Sequence, residues 1–239
     1  MLFSRTTLIM GGLFLMAAHA SYASSPSRNS GERKATEIKV TVDGLDAKGF
    51  IEPRYAYCVA AAQGHTEPGE NHNVGLRWTA GPQGTKSYAV IMVDEDVPTD
   101  FTMANKEGET IPYAMPRRPF YHWVLVNIPT HIMTIPASTD SASIAAKPSA
   151  VSTYGFRGRN DYTSGMDIRA GYDGPCPPWN DERVHHYHFR VYALRTEAID
   201  TTGILNGQRA LSLIAPHVLA VGEAVGKYTQ NPALLEKKQ

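Results

Sequence analysis

Apolar and polar positions alternate with period two along much of this chain. In "TEIKVTVDGL", Ile38, Val40 and Val42 share one face and Asp43-Gly44 closes the segment as a turn signal. "GLRWTAG" is a short strand bounded by glycines. "SYAVIMVDED" is an unbroken apolar run ending in acids, the pattern of a strand buried on both faces. "YHWVLVNIP" and "HHYHFRVYAL" read as two more strands, the first closed by Pro129. The connections are rich in Pro and Gly, and two, "TMANKEGETIPYAMPRRP" and "IPASTDSASIAAKPSAV", are long enough to be functional loops or lids.

The 3–4 spacing typical of helices occurs near the end of the chain. In "GQRALSLIAPHVLAVGEAVGKYTQ", Leu211, Ile214, Val218, Val221 and Val225 follow it, and Pro216 divides the segment into a short and a longer helix. The pattern predicts a mainly β protein, two packed antiparallel sheets forming a sandwich, with a C-terminal helical cap. One domain spans residues 37–230, followed by a tail at 231–239.

The first residues follow a different logic. Arg5, the short apolar run "LIMGGLFLMAA" and small-residue exits at Ala18-His19-Ala20 and Ser21-Tyr22-Ala23 read as a secretory signal peptide over residues 1–23. The run is too short for a membrane anchor, so no transmembrane span is expected in the mature chain. A polar, flexible leader follows at 24–36. The expected location is periplasmic or secreted. Without Arg5, the 23 acidic residues exceed the basic ones by one. That balance provides no electrostatic footprint for nucleic acid or for an anionic membrane. The two cysteines, Cys58 and Cys176, either bridge or stand as free thiols; sequence alone leaves both open.

Candidate chemistry gathers at strand ends. In 185–194, His185, Tyr187, Phe189, Val191 and Ala193 share the core face, while His186 and His188 take the other. His185 and Tyr187 are thus the polar head of an apolar row, beside the rigid loop "GYDGPCPP". By the same counting, His122 heads a row with Val124, Val126 and Ile128. Asp94 and Asp96 face one way where a buried strand meets Pro98, with Glu95 turned away. Singly, such residues serve turns and structural hydrogen bonds. Together they suit a metal site, a hydrolytic site or an anion pocket. No H-E-x-x-H, C-x-x-C or G-x-S-x-G occurs, and Cys176 sits between prolines rather than at a helix start. Imidazoles and a phenol that donate hydrogen bonds to phosphate suit the anion pocket, with aspartates fixing the imidazoles.

These residues resemble the phosphatidylethanolamine-binding protein family, and its bacterial Raf-kinase-inhibitor-like members in particular. "VDEDVPT" is similar to the family's D-x-D-x-P motif, "YHWVLVNIP" to its H-W-V…N-I-P strand, and "GYDGPCPP" with "HHYHFRVYAL" to its G-P-x-P-P…H-R-Y segment. "GRNDY" and "HVLAVGEAVGKY" resemble bacterial members, and the match runs in order from Lys39 to Tyr228. The resemblance implies a β-sandwich with a Greek-key core and a pocket for a phosphate-bearing small molecule or phospholipid headgroup. The expectation drawn from it is a binding protein with no cofactor and no catalytic turnover. Carried over by motif, the ligand-binding residues are Asp94, Asp96, Pro98, His122, Gly174, Cys176, Pro177, His185 and Tyr187. Asp94 would orient one imidazole and Asp96 would shape the rim. Two rival functions stand beside it: an inhibitor-like module docking a kinase or peptidase through the pocket rim, and a metal-dependent hydrolase. The chain departs from the family pattern at His186, where the family has Arg, and at Glu95, where it has Pro. It departs also in the charged "WNDERV" connection, in "NVGLRW", and in the 100–118 segment, which is long enough to reshape the rim.

Overall fold

The computed structural model describes residues 37–141, 152–163 and 169–236; the expected signal peptide and leader lie outside them. Strands are β1 (Val40–Asp43), β2 (Cys58–Ala60), β3 (Thr66–Pro68), β4 (Gly75–Trp78), β5 (Ser87–Pro98), β6 (Arg117–Pro129), β7 (Thr134–Ile135), β8 (Phe156–Arg157), β9 (His185–Leu194) and β10 (Val218–Tyr228). Helices are α1 (Gly207–Ile214) and α2 (Pro232–Glu236). Antiparallel pairing builds a five-stranded sheet, β10-β9-β5-β6-β8, a three-stranded sheet, β1-β4-β7, and the β2-β3 ribbon.

β5 lies at the centre of the large sheet and is covered on both sides, which explains its uninterrupted apolar run. On one side Val90 and Met92 join Trp123, Leu125, Phe189 and Val191 in a core closed by Leu76 and Trp78 of the smaller sheet and by Ile38, just before β1. On the other, Ala89 and Ile91 join Val124, Val126 and Leu194 beneath Ala210 and Ile214 of α1. The fold is therefore a sandwich with a helix packed on its outer face. Burying each large apolar side chain of these layers stabilises the fold by roughly 1.5–3 kcal/mol. As the alternation predicts, His185, Tyr187, Phe189, Val191 and Ala193 are all buried, and Ile38 is buried while Val40 and Val42 pack against the same core.

Two expectations are corrected. The longer C-terminal helix is a strand: after α1, a 3-10 turn at Ala215–His217 carries Pro216, and Val218 begins β10. The spacing that suggested a helix joined residues of unlike environment, since Val221 and Val225 are exposed. The deciding pattern is a period-two row of small residues, Ala220, Gly222, Ala224 and Gly226. A Cβ on Gly222 would stand 2.2 Å from the Ile38 carbonyl oxygen, and one on Gly226 would stand 2.7 Å from Ile51 Cγ1. The chain crosses this row so closely that only small side chains fit.

The second correction concerns His122. Met92 pairs with Trp123 and Val93 with Tyr121, so His122 is an extra residue in β6. Such a bulge breaks the alternation. The ring of His122 lies against Tyr187 and Phe120, on the side of Trp123, while Val124 and Val126 face α1. A second register shift between Tyr88 and Val90 returns Ile128 to the first core. Nearby, Asn127 takes a left-handed conformation with φ 56°.

Candidate ligand pocket at the strand ends

A cavity of about 390 Å³ opens where β5, β6 and β9 meet the Pro-rich loop. β5 supplies Asp94 and Val97. β6 supplies Phe120 and His122, the latter through its bulge. β9 supplies His185 and Tyr187, and the loop supplies Cys176, Pro177 and Pro178. The turn after Asn160 adds Asp161, Tyr162 and Thr163, and Phe101 closes one side.

His185 is fully buried and held at both ring nitrogens. Nδ1 lies 2.6 Å from Asp94 Oδ2 and Nε2 lies 3.2 Å from Asp181 Oδ2. Burial alone would push its pKa down; the two carboxylates outweigh burial and raise it to about 9. It is an imidazolium at neutral pH. Asp181 also takes a two-pronged bond from Arg117, at 2.5 and 2.9 Å. Burial would raise the Asp181 carboxyl, but bonds from His185 and Arg117 hold it below the usual range. Asp94 serves a second purpose: its Oδ1 accepts the Asp96 N–H at 2.8 Å, a local turn of the kind acids make before proline.

His122 is the opposite case. Its Nδ1 lies 2.8 Å from the Asp173 carbonyl oxygen, and burial pushes its pKa down despite nearby Asp94. It is neutral at pH 7, with the Nδ1 proton given to that carbonyl and Nε2 left as an acceptor. The Asp173 carboxylate anchors the wall behind it, bonded to Arg169, Asn71 and Asn160 at 2.6 to 2.7 Å. Tyr162 donates from its hydroxyl to the Gly174 carbonyl at 3.1 Å, and its ring packs edge-on against His122. The Tyr187 hydroxyl is buried with no well-formed hydrogen bond, and burial together with Asp94 pushes its pKa well up. It remains a phenol, with a proton to donate.

The structure thus brings Asp94, His122, Cys176, Pro177, His185 and Tyr187 to one cavity. Asp96, Pro98 and Gly174 do not line it. Asp96 lies on the other side of the strand end, bonded to the His186 backbone N–H at 3.0 Å, the His186 ring at 2.8 Å and Arg183 at 3.1 Å. It pins the start of β9 through His186, the residue that stands where the family motif has Arg. Pro98 ends β5 opposite Arg117. Gly174 sits where a Cβ would lie 1.9 Å from the Tyr55 carbonyl oxygen, so its lack of a side chain permits the loop's approach.

Sequence reading missed Val97, Phe101, Phe120, Asp161, Tyr162, Thr163 and Pro178. Asp161 and Tyr162 stood in the quoted "GRNDY", but their role depends on a turn docked through Tyr121: Asp161 Oδ2 accepts the Tyr121 N–H at 2.9 Å, and the Asp161 N–H returns a bond to the Tyr121 carbonyl. The 100–118 segment does reach the rim through Phe101. It is fixed to the loop at 178–183 by Asn180, which accepts the Asn105 N–H at 2.9 Å and donates to the Met103 carbonyl at 2.8 Å.

Cys58 and Cys176 form a disulfide with Cα atoms 4.8 Å apart. The bridge ties β2 to the cavity wall and consumes both thiols of the chain, removing the cysteine nucleophile as a reading. Among the described residues, no group of three or more His, Cys, Asp or Glu is arranged to hold a metal, and both nitrogens of His185 are engaged. A larger hollow of about 460 Å³, between Phe50, Val59, Pro68 and Tyr228, is mostly apolar and gathers no imidazole. The imidazoles His122 and His185 gather in the smaller one.

Known proteins resemble this chain in sequence and in fold. A family model described as phosphatidylethanolamine-binding protein matches residues 43–229. YbcL of Escherichia coli K12 is 31% identical over 160 residues, 67% of this chain and 73% of that protein. PH1269 of Pyrococcus horikoshii is 38% identical over 196 residues, 77% and 82% of the two chains. The crystal structure of E. coli YbcL, described as a new member of the mammalian PEBP family, superimposes with a TM-score of 0.60 at 27% identity, covering 81% of this chain and 98% of that one.

Proposed function

Because the chain belongs to the phosphatidylethanolamine-binding protein family, we propose that it is an exported protein that binds a phosphate-bearing small molecule or headgroup in the cavity below Phe101, without turning it over. The observation that carries this reading is a buried phenol aimed into a cavity that also holds a buried imidazolium. The Tyr187 hydroxyl lies by the Asp94 carboxylate without a well-formed hydrogen bond, and His185 is an imidazolium fixed by Asp94 and Asp181. A small anion satisfies a buried donor that otherwise costs about 1–3 kcal/mol. The walls from Phe120, Tyr162 and Pro177 exclude water and accept the apolar part of a ligand.

The same geometry favours binding over chemistry. Neither nitrogen of His185 is free to take a proton from a nucleophile, and both cysteines are bridged. His122 responds to the ligand instead. A phosphate oxygen near Nε2 stabilises its protonated form, so its pKa rises on binding. Export is supported by the signal pattern of residues 1–23.

The test is a titration with phosphoethanolamine while recording the imidazole NMR signals of His122 and His185. The His122 signals shift and its pKa moves up in the complex. Unchanged signals at millimolar ligand would refute the proposal.

A further inference from the structure

The cations around the cavity are already matched. His185 faces Asp94 and Asp181, Arg117 faces Asp181, Arg183 faces Asp96, and Arg169 faces Asp173. Two arginines differ. Arg118 is exposed and lies over the ring of Phe101, 5.6 Å from its centroid, at the cavity rim. Arg159 is half-buried, and its Nε is inaccessible and has no acceptor. Among the described residues neither guanidinium has a carboxylate in ion-pair contact. Both line a groove of about 360 Å³ that shares Phe120, Asp161 and Thr163 with the cavity. Asp161 lies near Arg118, but its Oδ2 is committed to the Tyr121 N–H.

We infer that the groove is a second anion subsite, and that the ligand carries a second acidic group, a few bonds from its phosphate, seated on Arg118 and Arg159. The inference rests on the reading that the cavity takes a phosphate. Its logic is charge matching. A phosphate in the cavity meets donors whose charges are already balanced, whereas the guanidiniums outside offer planar forks to a carboxylate or a second phosphate. The three shared residues make the two places neighbours, within the span of a single small molecule that reaches past Phe120.

O-phosphoserine and phosphoethanolamine differ by one carboxylate and form a matched pair of probes. Calorimetric titration of the intact protein should give roughly three- to tenfold tighter binding of O-phosphoserine, the scale of partly exposed charge contacts. In Arg118→Gln/Arg159→Gln that ratio falls to near one. Arg118→Gln alone, at an exposed position, lowers the ratio partway and guards against misfolding of the double variant. Equal affinities in the unmodified protein, or a preference that survives the double substitution, overturn the inference and leave the phosphate reading standing. Binding of neither probe overturns both. Dihexanoyl phosphatidylserine identifies the source: tighter binding than O-phosphoserine assigns the second acid to a lipid headgroup, weaker binding to a soluble metabolite, and either keeps the subsite.

Discussion

Stability should fall as the pH rises from neutral to mildly alkaline, because His185 gives up its proton there. In the unfolded chain this imidazole titrates near ~6.5; in the fold, Asp94 and Asp181 hold it protonated to about 9. Below ~6.5 both states carry the proton and the full stabilisation is present. Between the two values the unfolded state has lost the proton while the folded state keeps it, so stability declines by ~1.4 kcal/mol per pH unit. Above the folded value the contribution is gone. The difference between ~6.5 and about 9 corresponds to about 3 kcal/mol, a large share of the stability of a single domain. Urea unfolding across this window, at fixed ionic strength, should show the midpoint moving down for the natural protein. His185→Gln removes the titrating group, and its curve should be lower at neutral pH and flatter. A natural protein whose stability is level between ~6.5 and 9, or a Gln variant that declines as steeply, would refute the reasoning.

Two further outcomes test separate parts of the fold. Replacing both Cys58 and Cys176 by Ala opens a covalent loop with a sequence separation of 118, and should cost about 2–4 kcal/mol by denaturant unfolding; no loss would mean that the bridge does not constrain the chain. Gly222→Ala decides the nature of the C-terminal segment by its sign: beside the Ile38 carbonyl it should destabilise by about 1–3 kcal/mol through overpacking, whereas the same change within a helix would stabilise by up to ~1 kcal/mol.

What the sequence could reveal depended on whether the alternation ran unbroken. Along β9 it does, so the inward placing of His185 and Tyr187 and the outward placing of His186 were legible from period two alone. β5 was legible from its apolar run. β6 was only partly so, because the bulge at His122 transfers its ring to the opposite side of the sheet. The cavity still received His122, but for a reason that counting positions does not supply. β10 was misread because valines at 3–4 spacing outweighed the row of small residues, whose meaning depends on Ile38 and Ile51 crossing above them. Asp161 and Tyr162 reach the cavity through a turn that docks on Tyr121, and Cys58 meets Cys176 across a sequence separation of 118. Those are tertiary approaches with no local pattern. Asp96 shows the limit of motif reasoning: it shares a motif with Asp94, yet a register shift between Asp94 and Val97 turns it to pin His186 from outside.

The central claim is that the cavity bounded by His122, Tyr187 and the Cys176 loop is where a phosphate group binds. A crystal structure of the protein grown with phosphoethanolamine tests it most directly. The account predicts phosphate density within hydrogen-bond distance of the Tyr187 hydroxyl and His122 Nε2, with His185 still held between Asp94 and Asp181. A cavity filled only by water, with the phosphate seated elsewhere on the protein, would contradict it.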